Sequence, residues 1–432
     1  DGNRCYLIKR GLRLYMLNRN KERELSYVVL IDKIEPIEGS DNCEAAVVGG
    51  WKVLTRKGTF KRGDAAVYFE VDSKVDTSKK EFSFMERYHG KIKTQRYTFG
   101  GKNPGFYSQG LLMPASDFGW TVEGHKIIDS NGVAHCAEDE SRFLTKQLGV
   151  TYADARDNAR KAKKVDKYQR MSKRLGKKAA RPLYKWLYKR GWGKALLFAI
   201  YGKRGDNPRR FPKHFEYIKP TDQERCENMQ WVLEDKTPYI VTQKCDGSSA
   251  TYILERKHKL FGPKFEYYVC SRNVRQFDMG QECFHDENYY WMAEFKYHIR
   301  DFLEDYLNKH PELEYVCVQG ELCHPKIQKN PHGLKDLHFF AFHMIDSKVG
   351  KYDIREAKKI WDEYHIESVP IVCDNFILPD DFEEFKLMAD GYYDSSVCEG
   401  QSDRMREGLV YYKTTDPNFS FKNVSRKYLV KH

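Results

Sequence analysis

The most specific local pattern in the chain is a lysine followed two positions later by Asp-Gly, at Lys244-Cys245-Asp246-Gly247. It follows an apolar run at 239–242 that is typical of a buried strand. A neutral lysine amine can attack the α-phosphorus of a nucleotide and form a covalent phosphoramidate. Nearby cations, including a bound metal, favour the neutral amine. The Asp-Gly pair predicts a turn that holds the lysine outward, with a carboxylate beside it. Alone the pattern is weak, because it arises by chance in roughly one chain in ten of this length.

Five further segments downstream carry polar or aromatic side chains next to predicted strands. They are Ser271-Arg272-Asn273, Gln319-Gly320-Glu321-Leu322, Phe339-Phe340-Ala341-Phe342, Glu407-Gly408-Leu409-Val410 and Ser420-Phe421-Lys422. Taken singly, each has an ordinary structural explanation, since most acids before strands lie in turns and most Phe runs are core. Their common position at strand ends, in series after the lysine, predicts one site that combines them.

Two regions of regular structure must position these residues. Up to about residue 125, short runs rich in Val, Ile, Tyr and Phe alternate with turn signals and predict strands at 27–34, 45–54, 65–71 and 109–113. This spacing favours a small OB-like β-barrel, and an SH3-like barrel or an open sheet would give a similar pattern. We therefore assign residues 1–125 to an OB-like domain.

From residue 211 the pattern becomes mixed. Strand-like runs alternate with two helical stretches, at 289–309 and 354–364, and predict an α+β domain over 211–432. The predicted strands are at 239–242, 267–271, 315–318, 337–345 and 409–412.

The net charge of +12 is concentrated between these two domains. Residues 156–213 contain 21 Lys or Arg against three acids, a net charge of +18, so the rest of the chain sums to about −6. Ala, Lys, Arg and Leu dominate and predict short helices, so we assign 126–210 to a basic, mainly helical linker. Such a module predicts an anionic polymer as partner. The basic residues expected to bind nucleic acid include Lys173, Arg174, Lys177, Lys178, Lys185 and Lys189.

The aromatic residues of this linker leave three interpretations open. Leu183, Tyr184, Trp186 and Tyr188 stand at helical spacing among lysines. They could pack on a neighbouring domain, contact nucleic acid, or lie on an anionic membrane surface.

The eleven cysteines form no C-x-x-C pair, and the N-terminus shows no signal-peptide pattern. Together these features predict reduced thiols in a cytoplasmic, reducing compartment. The longest apolar run, near 195–200, is too short to span a bilayer.

From about residue 211 onward, the motifs resemble those of the covalent nucleotidyltransferase superfamily of ligases and mRNA-capping enzymes. The Lys244 tetrad matches the nucleophile motif, and the five later segments follow in the family's order. Within the superfamily, residues 211–225, 244–249 and 420–429 are most similar to ATP-dependent RNA ligases with an N-terminal OB domain. Residues 27–113 resemble that OB domain, so the resemblance covers about three quarters of the chain.

The resemblance implies a nucleotide pocket. Lys244 would become the AMP-lysine, Glu321 would bind the ribose hydroxyls, and Gln243 would lie at the adenine edge. Phe342, with Phe340 as the alternative, would stack on adenine.

The resemblance also implies charged groups around the phosphates of ATP. Glu407 and Asp246 would serve a Mg²⁺ or Mn²⁺ ion, directly or through its waters. Lys422 would contact the α-phosphate and stabilise its developing charge. We count Lys244, Glu407 and Lys422 as the catalytic residues.

Arg225 would contact the departing pyrophosphate, and Arg272 with Asn273 would contact the polynucleotide. One position departs from the family pattern: some relatives have a second lysine two residues after Lys422, where this chain has Val424. Either Lys427 or Arg426 substitutes for it, or one cation suffices.

Together these features predict an ATP-dependent RNA ligase that joins 3′-hydroxyl and 5′-phosphate ends through a lysyl-AMP. We expect a monomeric enzyme that acts at nicks in duplex RNA or RNA-containing duplex, as in RNA repair. A DNA ligase or capping-type nucleotidyltransferase is disfavoured, because those enzymes generally place their OB domain after the last motif. A non-catalytic nucleic-acid-binding protein on the same fold is disfavoured because Lys244 and Glu407 are both present.

Overall fold

The N-terminal strands form three three-stranded and two two-stranded antiparallel sheets, and two of the three-stranded sheets build the barrel. The computed structural model describes residues 24–99, 105–124, 126–135, 142–152, 182–183, 186–187, 200, 211–221, 223–259, 262–276, 287–400 and 403–431. The N-terminal strands are β1 (Ser26–Leu30), β2 (Lys33–Pro36), β3 (Cys43–Val48), β4 (Trp51–Arg56), β5 (Ala65–Phe69), β6 (Ser73–Lys74), β7 (Gln95–Tyr97), β8 (Phe106–Ser108), β9 (Leu111–Pro114), β10 (Thr121–Glu123), β11 (Lys126–Ile128), β12 (Ala134–His135) and β13 (Thr151–Tyr152).

The two sheets meet in the manner of an OB-type barrel. One has the order β1-β5-β9 and the other β2-β3-β4, and β1 runs into β2 through two residues. The backbone amide of Gln109, just before β9, donates to the carbonyl of Lys52 in β4 at 2.9 Å. This hydrogen bond joins the second sheet to the segment that enters β9. Tyr27, Trp51 and Tyr68 fill the interior and are fully buried. The predicted OB-like domain is confirmed.

The predicted strand at 45–54 is divided by a tight turn, because Val48 and Trp51 are paired across Gly49 and Gly50. Gly49 has a φ of 53°, in the left-handed region that glycine adopts at little cost. The short apolar run predicted one strand here and did not reveal the turn that divides it.

The N-terminal unit extends past the predicted boundary at 125. The strand β11 pairs with β10 and β12, and β13 pairs with β6. Leu144 and Val150 are buried in the same core as Phe69. The only helix between 126 and 152 in the described residues is the four-residue α1 (Thr145–Leu148), so these residues differ from the predicted helical linker. Their apolar side chains are buried by the first domain, which composition alone does not reveal.

The C-terminal domain is built on two sheets. A five-stranded sheet has the order β14-β24-β23-β15-β22, and a six-stranded sheet has the order β18-β17-β16-β19-β20-β21. The strands are β14 (Glu224–Arg225), β15 (Tyr239–Lys244), β16 (Ser248–Lys259), β17 (Gly262–Ser271), β18 (Arg275–Gln276), β19 (Tyr315–Cys323), β20 (His338–Asp346), β21 (Gly350–Lys351), β22 (Ile371–Phe376), β23 (Gly408–Lys413) and β24 (Asp416–Val424).

In the described part of this domain, five α-helices accompany these sheets: α2 (Tyr289–Tyr297), α3 (Ile299–Lys309), α4 (Ile354–Glu363), α5 (Phe382–Leu387) and α6 (Arg426–Lys431). The helices α2 and α3 replace the single helix predicted at 289–309. His298 separates them with a φ of 50°, a left-handed conformation that ends one helix and starts the next.

The largest core packs α2, α3 and α4 on the six-stranded sheet and reaches Ile240 and Val410 of the five-stranded sheet. A second core lies between the other face of the five-stranded sheet and α5, around Tyr411 and Phe421. This packing places the ends of β15 and β23 beside the start of β16, where the predicted motifs lie.

The N-terminal and C-terminal units share a hydrogen-bonded boundary. The indole Nε1 of Trp51 donates to Oδ1 of Asn228 at 2.6 Å, and the amide of Gly50 donates to the carbonyl of Glu227 at 2.8 Å. A Cβ at Gly50 would lie 2.6 Å from the Cα of Glu227, so only glycine fits this approach. The β3–β4 turn therefore docks directly on the segment that follows β14.

The eight cysteines in the described part of the chain are free thiols. Among the described residues, no helix is long and apolar enough to cross a membrane. In the basic segment, Leu187 is buried whereas Leu183 and Trp186 are exposed. The six basic residues predicted to bind nucleic acid there, and Tyr184 and Tyr188, lie outside the described residues.

Candidate active site

Lys244 ends β15 and forms an ion pair with Glu407, the residue that precedes β23. The Nζ of Lys244 lies 2.7 Å from Oε2 of Glu407. The antiparallel register places Lys244 opposite Gly408, so the two side chains meet where the strands end. Their side chains are 22% and 14% exposed, so the pair is partly accessible to solvent. The two residues are 163 positions apart in sequence, and the sheet register brings them together.

Three carboxylates surround the Lys244 amine. Burial alone would lower the pKa of Lys244, but the charges of Glu407, Glu321 and Asp246 outweigh burial and raise this pKa. Burial, with the neighbouring Glu407 and Asp246 charges, raises the pKa of Glu321 to about 8, against the lowering effect of Lys244. Burial likewise raises the pKa of Glu407. The Lys244 amine is therefore protonated in this state, and more acidic than basic groups lie close to it.

The turn after Lys244 lies against β19. A Cβ at Gly247 would stand 2.3 Å from the carbonyl oxygen of Leu322 and 3.0 Å from Cγ of Glu321. Glycine is required here because the backbones approach too closely for any side chain. This approach brings the Asp246-Gly247 turn beside Glu321.

Asp246 is fixed on both sides by groups that sequence reasoning did not select. The hydroxyl of Tyr428, on α6, donates to Oδ2 of Asp246 at 2.7 Å. The backbone amide of Asp246 donates to Nε2 of His332 at 3.2 Å, while Nδ1 of His332 donates to the carbonyl of Val397 at 2.8 Å. Burial lowers the pKa of His332 to about 4, so the ring is neutral and its tautomer is set by these bonds.

Glu321 lies on β19, paired with Ser249 of β16 on one side and Phe340 of β20 on the other. Phe340 is buried and stacks on His338, with ring centroids 5.6 Å apart. Phe342 follows an irregularity in the β19–β20 register and is only partly buried. Of the two phenylalanines predicted to stack on adenine, Phe342 thus has more free ring surface.

Gln243 has its side-chain amide bonded to the loop before β23. Its Oε1 accepts from the amide of Asp394 at 2.9 Å, and its Nε2 donates to the carbonyl of Tyr392 at 3.3 Å. Gln243 therefore holds this loop next to Lys244, and contact with an adenine edge stays a prediction.

Lys422 is half-buried on β24, with Val410 as its partner on β23 and Arg225 as its partner on β14. Burial raises the pKa of Glu407, and the charge of Lys422 offsets part of this rise. Lys422 is therefore within electrostatic reach of the ion pair. Lys422 is therefore on the same sheet as Lys244, two strands away.

Arg225 is 5% exposed and faces the N-terminal domain. Its Nη2 lies 3.0 Å from Oδ2 of Asp72, and its guanidinium carbon lies 5.8 Å from the Trp51 ring centroid. These contacts give Arg225 a role in the boundary between domains; contact with pyrophosphate stays a prediction.

Val424, at the position of the second family lysine, is buried opposite Gly408. The two proposed substitutes are both in ion pairs. Lys427 lies 3.0 Å from Asp390, and Arg426 lies 2.8 Å from Glu383. Neither substitute makes a described contact with Glu407, so their role as phosphate ligands stays open.

Arg272 and Asn273 form the turn between β17 and β18. Arg272 is half-buried and Asn273 is exposed. Since Ser271 pairs with Ala250 near the start of β16, this turn lies at the same end of the six-stranded sheet as Glu321.

The donor groups suit a divalent cation that is bound together with a substrate. Among the described residues, no three His, Cys, Asp or Glu side chains are close enough to bind a metal on their own. Mg²⁺ is usually held by one or two carboxylates with phosphate oxygens and waters. Glu407 and Asp246 supply such carboxylates next to Lys244, and the excess of acidic groups favours a cation.

Residues 237–429 match the family model described as RNA ligase. This part of the chain is an RNA ligase domain. Residues 25–115 match the model of an OB-fold domain. No curated protein matches the chain.

Solved structures of Naegleria gruberi RNA ligase are similar to this chain over nearly its full length. A lysine-to-methionine variant with AMP and Mn is 25% identical, with a TM-score of 0.64, and the match covers 95% of this chain and 99% of that chain. The structure with PPi is 23% identical, with the same TM-score and coverage. An apo lysine-to-alanine variant is 24% identical, with a TM-score of 0.63 and coverage of 94% and 98%. At this identity the similarity shows the fold.

Within the RNA ligase domain, the structure brings together Lys244, Asp246, Glu321 and Glu407, with Lys422 two strands away. The sequence patterns indicated no role for His332 or Tyr428. His332 follows a proline in the turn Asn330-Pro331-His332-Gly333. That turn could have been noticed as a loop signal, but nothing in the sequence connects it with Asp246.

Proposed function

We propose that this protein is an ATP-dependent RNA ligase that forms a lysyl-AMP on Lys244. It then joins 3′-hydroxyl and 5′-phosphate ends at nicks in duplex RNA or in RNA-containing duplex. The observation that carries this proposal is the 2.7 Å contact between Lys244 and Glu407, with Glu321 and Asp246 close enough to raise the pKa of Lys244. The position of this amine inside an RNA ligase domain supports the proposal that Lys244 is the nucleophile.

The first step requires Lys244 to lose its proton. The surrounding carboxylates hold the proton on the amine, so nucleotide and metal must change the electrostatics before attack. A divalent cation, bound by Glu407 and Asp246 together with the phosphates, would neutralise these charges and lower the pKa of the amine. The Nζ of Lys244 then attacks the α-phosphorus. A P–N bond forms and the P–O bond to pyrophosphate breaks, as in other phosphoryl transfers.

Lys422 lies on the same sheet as the nucleophile and is proposed to stabilise negative charge on the α-phosphate. Glu321 is proposed to bind the ribose, because it lies beside the Asp246-Gly247 turn. Phe342 is proposed to stack on adenine, because it lies on β20, which pairs with the strand that carries Glu321. Solved structures of the similar Naegleria gruberi RNA ligase contain AMP and Mn, ATP and Mn, or PPi, which supports a nucleotide and a metal at this site.

Two further phosphoryl transfers complete the reaction. The 5′-phosphate of one strand attacks the AMP phosphorus, and the P–N bond to Lys244 breaks, which returns the lysine and leaves an adenylylated end. The 3′-hydroxyl of the other strand then attacks the 5′-phosphorus, forms the phosphodiester and releases AMP. Arg272 and Asn273, at the same end of the sheet as Glu321, are proposed to contact the polynucleotide.

Domain order supports an RNA ligase over a DNA ligase or a capping enzyme. The OB-fold match at 25–115 precedes the RNA ligase match at 237–429. The basic segment at 156–213 is proposed to add affinity for the phosphate backbone, since its net charge is +18. We also propose that the enzyme acts as a monomer in a reducing, cytoplasmic compartment. The eight described cysteines are free thiols, which is compatible with such a compartment.

The test is incubation with α-labelled ATP and Mg²⁺, followed by denaturing electrophoresis. We expect an acid-labile label on the protein that is chased into a sealed product when a nicked duplex is added. Sealing is then compared on matched nicks with RNA or DNA on each side of the break. Stronger labelling from GTP or NAD would refute the nucleotide assignment, and equal sealing of all-DNA nicks would refute the preference for RNA.

A further inference from the structure

The loop that joins β5 to β9 exposes two aromatic rings on one short helix. A 3-10 helix spans Lys80–Tyr88, and its Phe82 and Met85 are buried in the core of the N-terminal domain. Phe84 on the same helix is 52% exposed and Tyr88 is 36% exposed. Exposed apolar side chains that lie together, rather than scattered singly, often mark an interaction site.

Basic groups surround these rings. The guanidinium carbon of Arg87 lies 4.6 Å from the centroid of the Tyr88 ring, a cation–π contact at the surface. Tyr97 on β7 is close by, because the charges of Tyr88 and Arg87 both act on its pKa. Arg96, next to Tyr97, is exposed. We call Phe84, Arg87, Tyr88, Arg96 and Tyr97 the aromatic–basic surface.

Acidic residues in the helix do not cancel this charge. The helix contains Glu81 and Glu86, both exposed. From residue 79 to residue 97 there are six Lys or Arg against these two acids, so the segment has a net charge of +4. A basic surface with exposed rings is complementary to a polyanion that carries aromatic bases.

One hairpin connects this surface to the helix that contacts the active site. Arg96 on β7 pairs with Tyr107 on β8. The guanidinium carbon of Arg426 lies 5.9 Å from the Tyr107 ring, and Arg426 begins α6. The same helix carries Tyr428, which donates to Asp246 in the active site. The hairpin that carries Arg96 therefore packs beside the helix that contacts Asp246.

We propose that the aromatic–basic surface binds the RNA strand that extends from the break. Arg87 and Arg96 contact its phosphates, and Phe84 and Tyr88 stack on bases of that strand where the strand is unpaired. The surface lies between β5 and β9, the last two strands of the OB-type barrel, and oligonucleotide-binding OB folds use the loop at that position for contact. This inference rests on the proposed function, since it names RNA as the ligand of a surface outside the nucleotide pocket.

The experiment measures RNA binding directly, by fluorescence anisotropy with a labelled RNA of about 24 nucleotides, single-stranded or in a nicked duplex, long enough to span the site of an OB fold. The first variant is Phe84→Ala/Tyr88→Ala, and the second is Arg87→Gln/Arg96→Gln. The controls match these in kind: Phe295→Ala removes a ring that is 58% exposed on α2, and Lys57→Gln/Lys61→Gln removes two exposed charges from the loop between β4 and β5. Circular dichroism and the melting temperature check that each variant is folded.

We expect the double aromatic variant to weaken binding of the single strand at least about fivefold for each ring. For the nicked duplex, the logarithm of the binding constant falls linearly with the logarithm of the salt concentration. In the double arginine variant, this slope should become shallower by about 0.9 for each phosphate that the variant no longer neutralises. Both control variants should bind as the unaltered protein does. Labelling of Lys244 by ATP should be unchanged in all four variants, because the surface does not contact the nucleotide pocket.

Unchanged RNA affinity and salt dependence in both test variants would overturn the inference, and so would equal losses in the matched controls. If the test variants bind RNA normally but lose a dimer or a bound protein, the surface is a protein interface and the inference is wrong. The proposed function fails separately, through absence of the Lys244 label in the unaltered protein. RNA anisotropy is measured without ATP, so the two failures are distinguishable.

Discussion

Replacement of Lys386 by methionine should destabilise the RNA ligase domain more than any surface substitution. Lys386, on α5, is 3% exposed, and its Nζ lies 2.8 Å from Oε1 of Glu227 and 2.8 Å from Oδ1 of Asn423. It also donates to the carbonyl of Val424 at 3.2 Å. The ammonium therefore connects three elements: α5, the segment after β14 that docks on the N-terminal domain, and the end of β24.

The structure gives the size of the expected effect. Burial alone would raise the pKa of Glu227, but the charges of Lys386 and Arg225 outweigh it and lower the pKa to about 2. Against an ordinary value of 4.5, this shift corresponds to about 3 kcal/mol of stability above pH 4.5. Removing one partner of a buried pair typically costs about 3–5 kcal/mol, because the other charge is left buried. For a domain of this size, that loss lowers the melting temperature by roughly 6–20 °C.

The assay is thermal unfolding at pH 7, with Lys358→Met as the matched control. Lys358 pairs with Asp362 at 2.7 Å on the exposed face of α4, and such a pair contributes at most about 1 kcal/mol. The double variant Lys386→Met/Glu227→Gln should recover part of the loss, since it removes the uncompensated carboxylate. As pH falls from 4.5 towards 2, the unaltered protein should lose the stability that Glu227 supplies. A Lys386→Met variant within about 1 kcal/mol of the unaltered protein would refute this reasoning, as would strictly additive losses in the double variant.

The remaining predictions concern catalysis and RNA binding. Lys244→Ala should abolish labelling by ATP, and Lys244→Arg should also fail because a guanidinium stays protonated; labelling in either variant would place the nucleophile elsewhere. Glu407→Ala and Lys422→Ala should each slow labelling about a hundredfold or more, which is roughly 3 kcal/mol, with the fold intact by circular dichroism; near-normal rates at matched ATP and metal would contradict the assigned roles. Tyr428→Phe should slow labelling less than Glu407→Ala, since it removes one hydrogen bond to Asp246 and no charge; an equal loss would mean that Tyr428 acts on the nucleotide itself. Glutamine at several basic positions of the linker should weaken RNA binding and flatten its salt dependence while ATP labelling persists, and unchanged affinity with intact sealing would show that the segment has another partner. Those positions are Lys173, Arg174, Lys177, Lys178, Lys185 and Lys189.

The site could be predicted from the sequence to the extent that its chemistry is local. The Lys244 tetrad lies in four consecutive residues, and each later motif lies in or beside a strand, most of which the sequence predicted. The OB-like domain could be predicted in the same way, from short strands and turn signals. These features are local because side-chain alternation and turn residues act over a few positions.

The contacts of the predicted residues could not be obtained from the sequence. Arg225 was predicted to bind pyrophosphate, but the structure pairs it with Asp72, 153 positions away. His332 and Tyr428 fix Asp246 from two separate elements. Tyr428 lies in the segment 420–429 that resembles the family, but nothing in that segment indicates a contact with Asp246. The break at His298 and the extension of the first domain to residue 152 depend on packing rather than on composition.

The sequence by itself thus predicted Lys244 as the nucleophile and determined the order of the motifs and the two kinds of domain. Only the tertiary structure decided that Glu407 pairs with Lys244, that Lys386 anchors β24, and that the β7–β8 hairpin meets α6. The physical reason is that alternation and turn chemistry specify each strand locally. Which side chains meet depends on sheet register and on packing between segments far apart in the chain, where burial and charge act over a few ångströms.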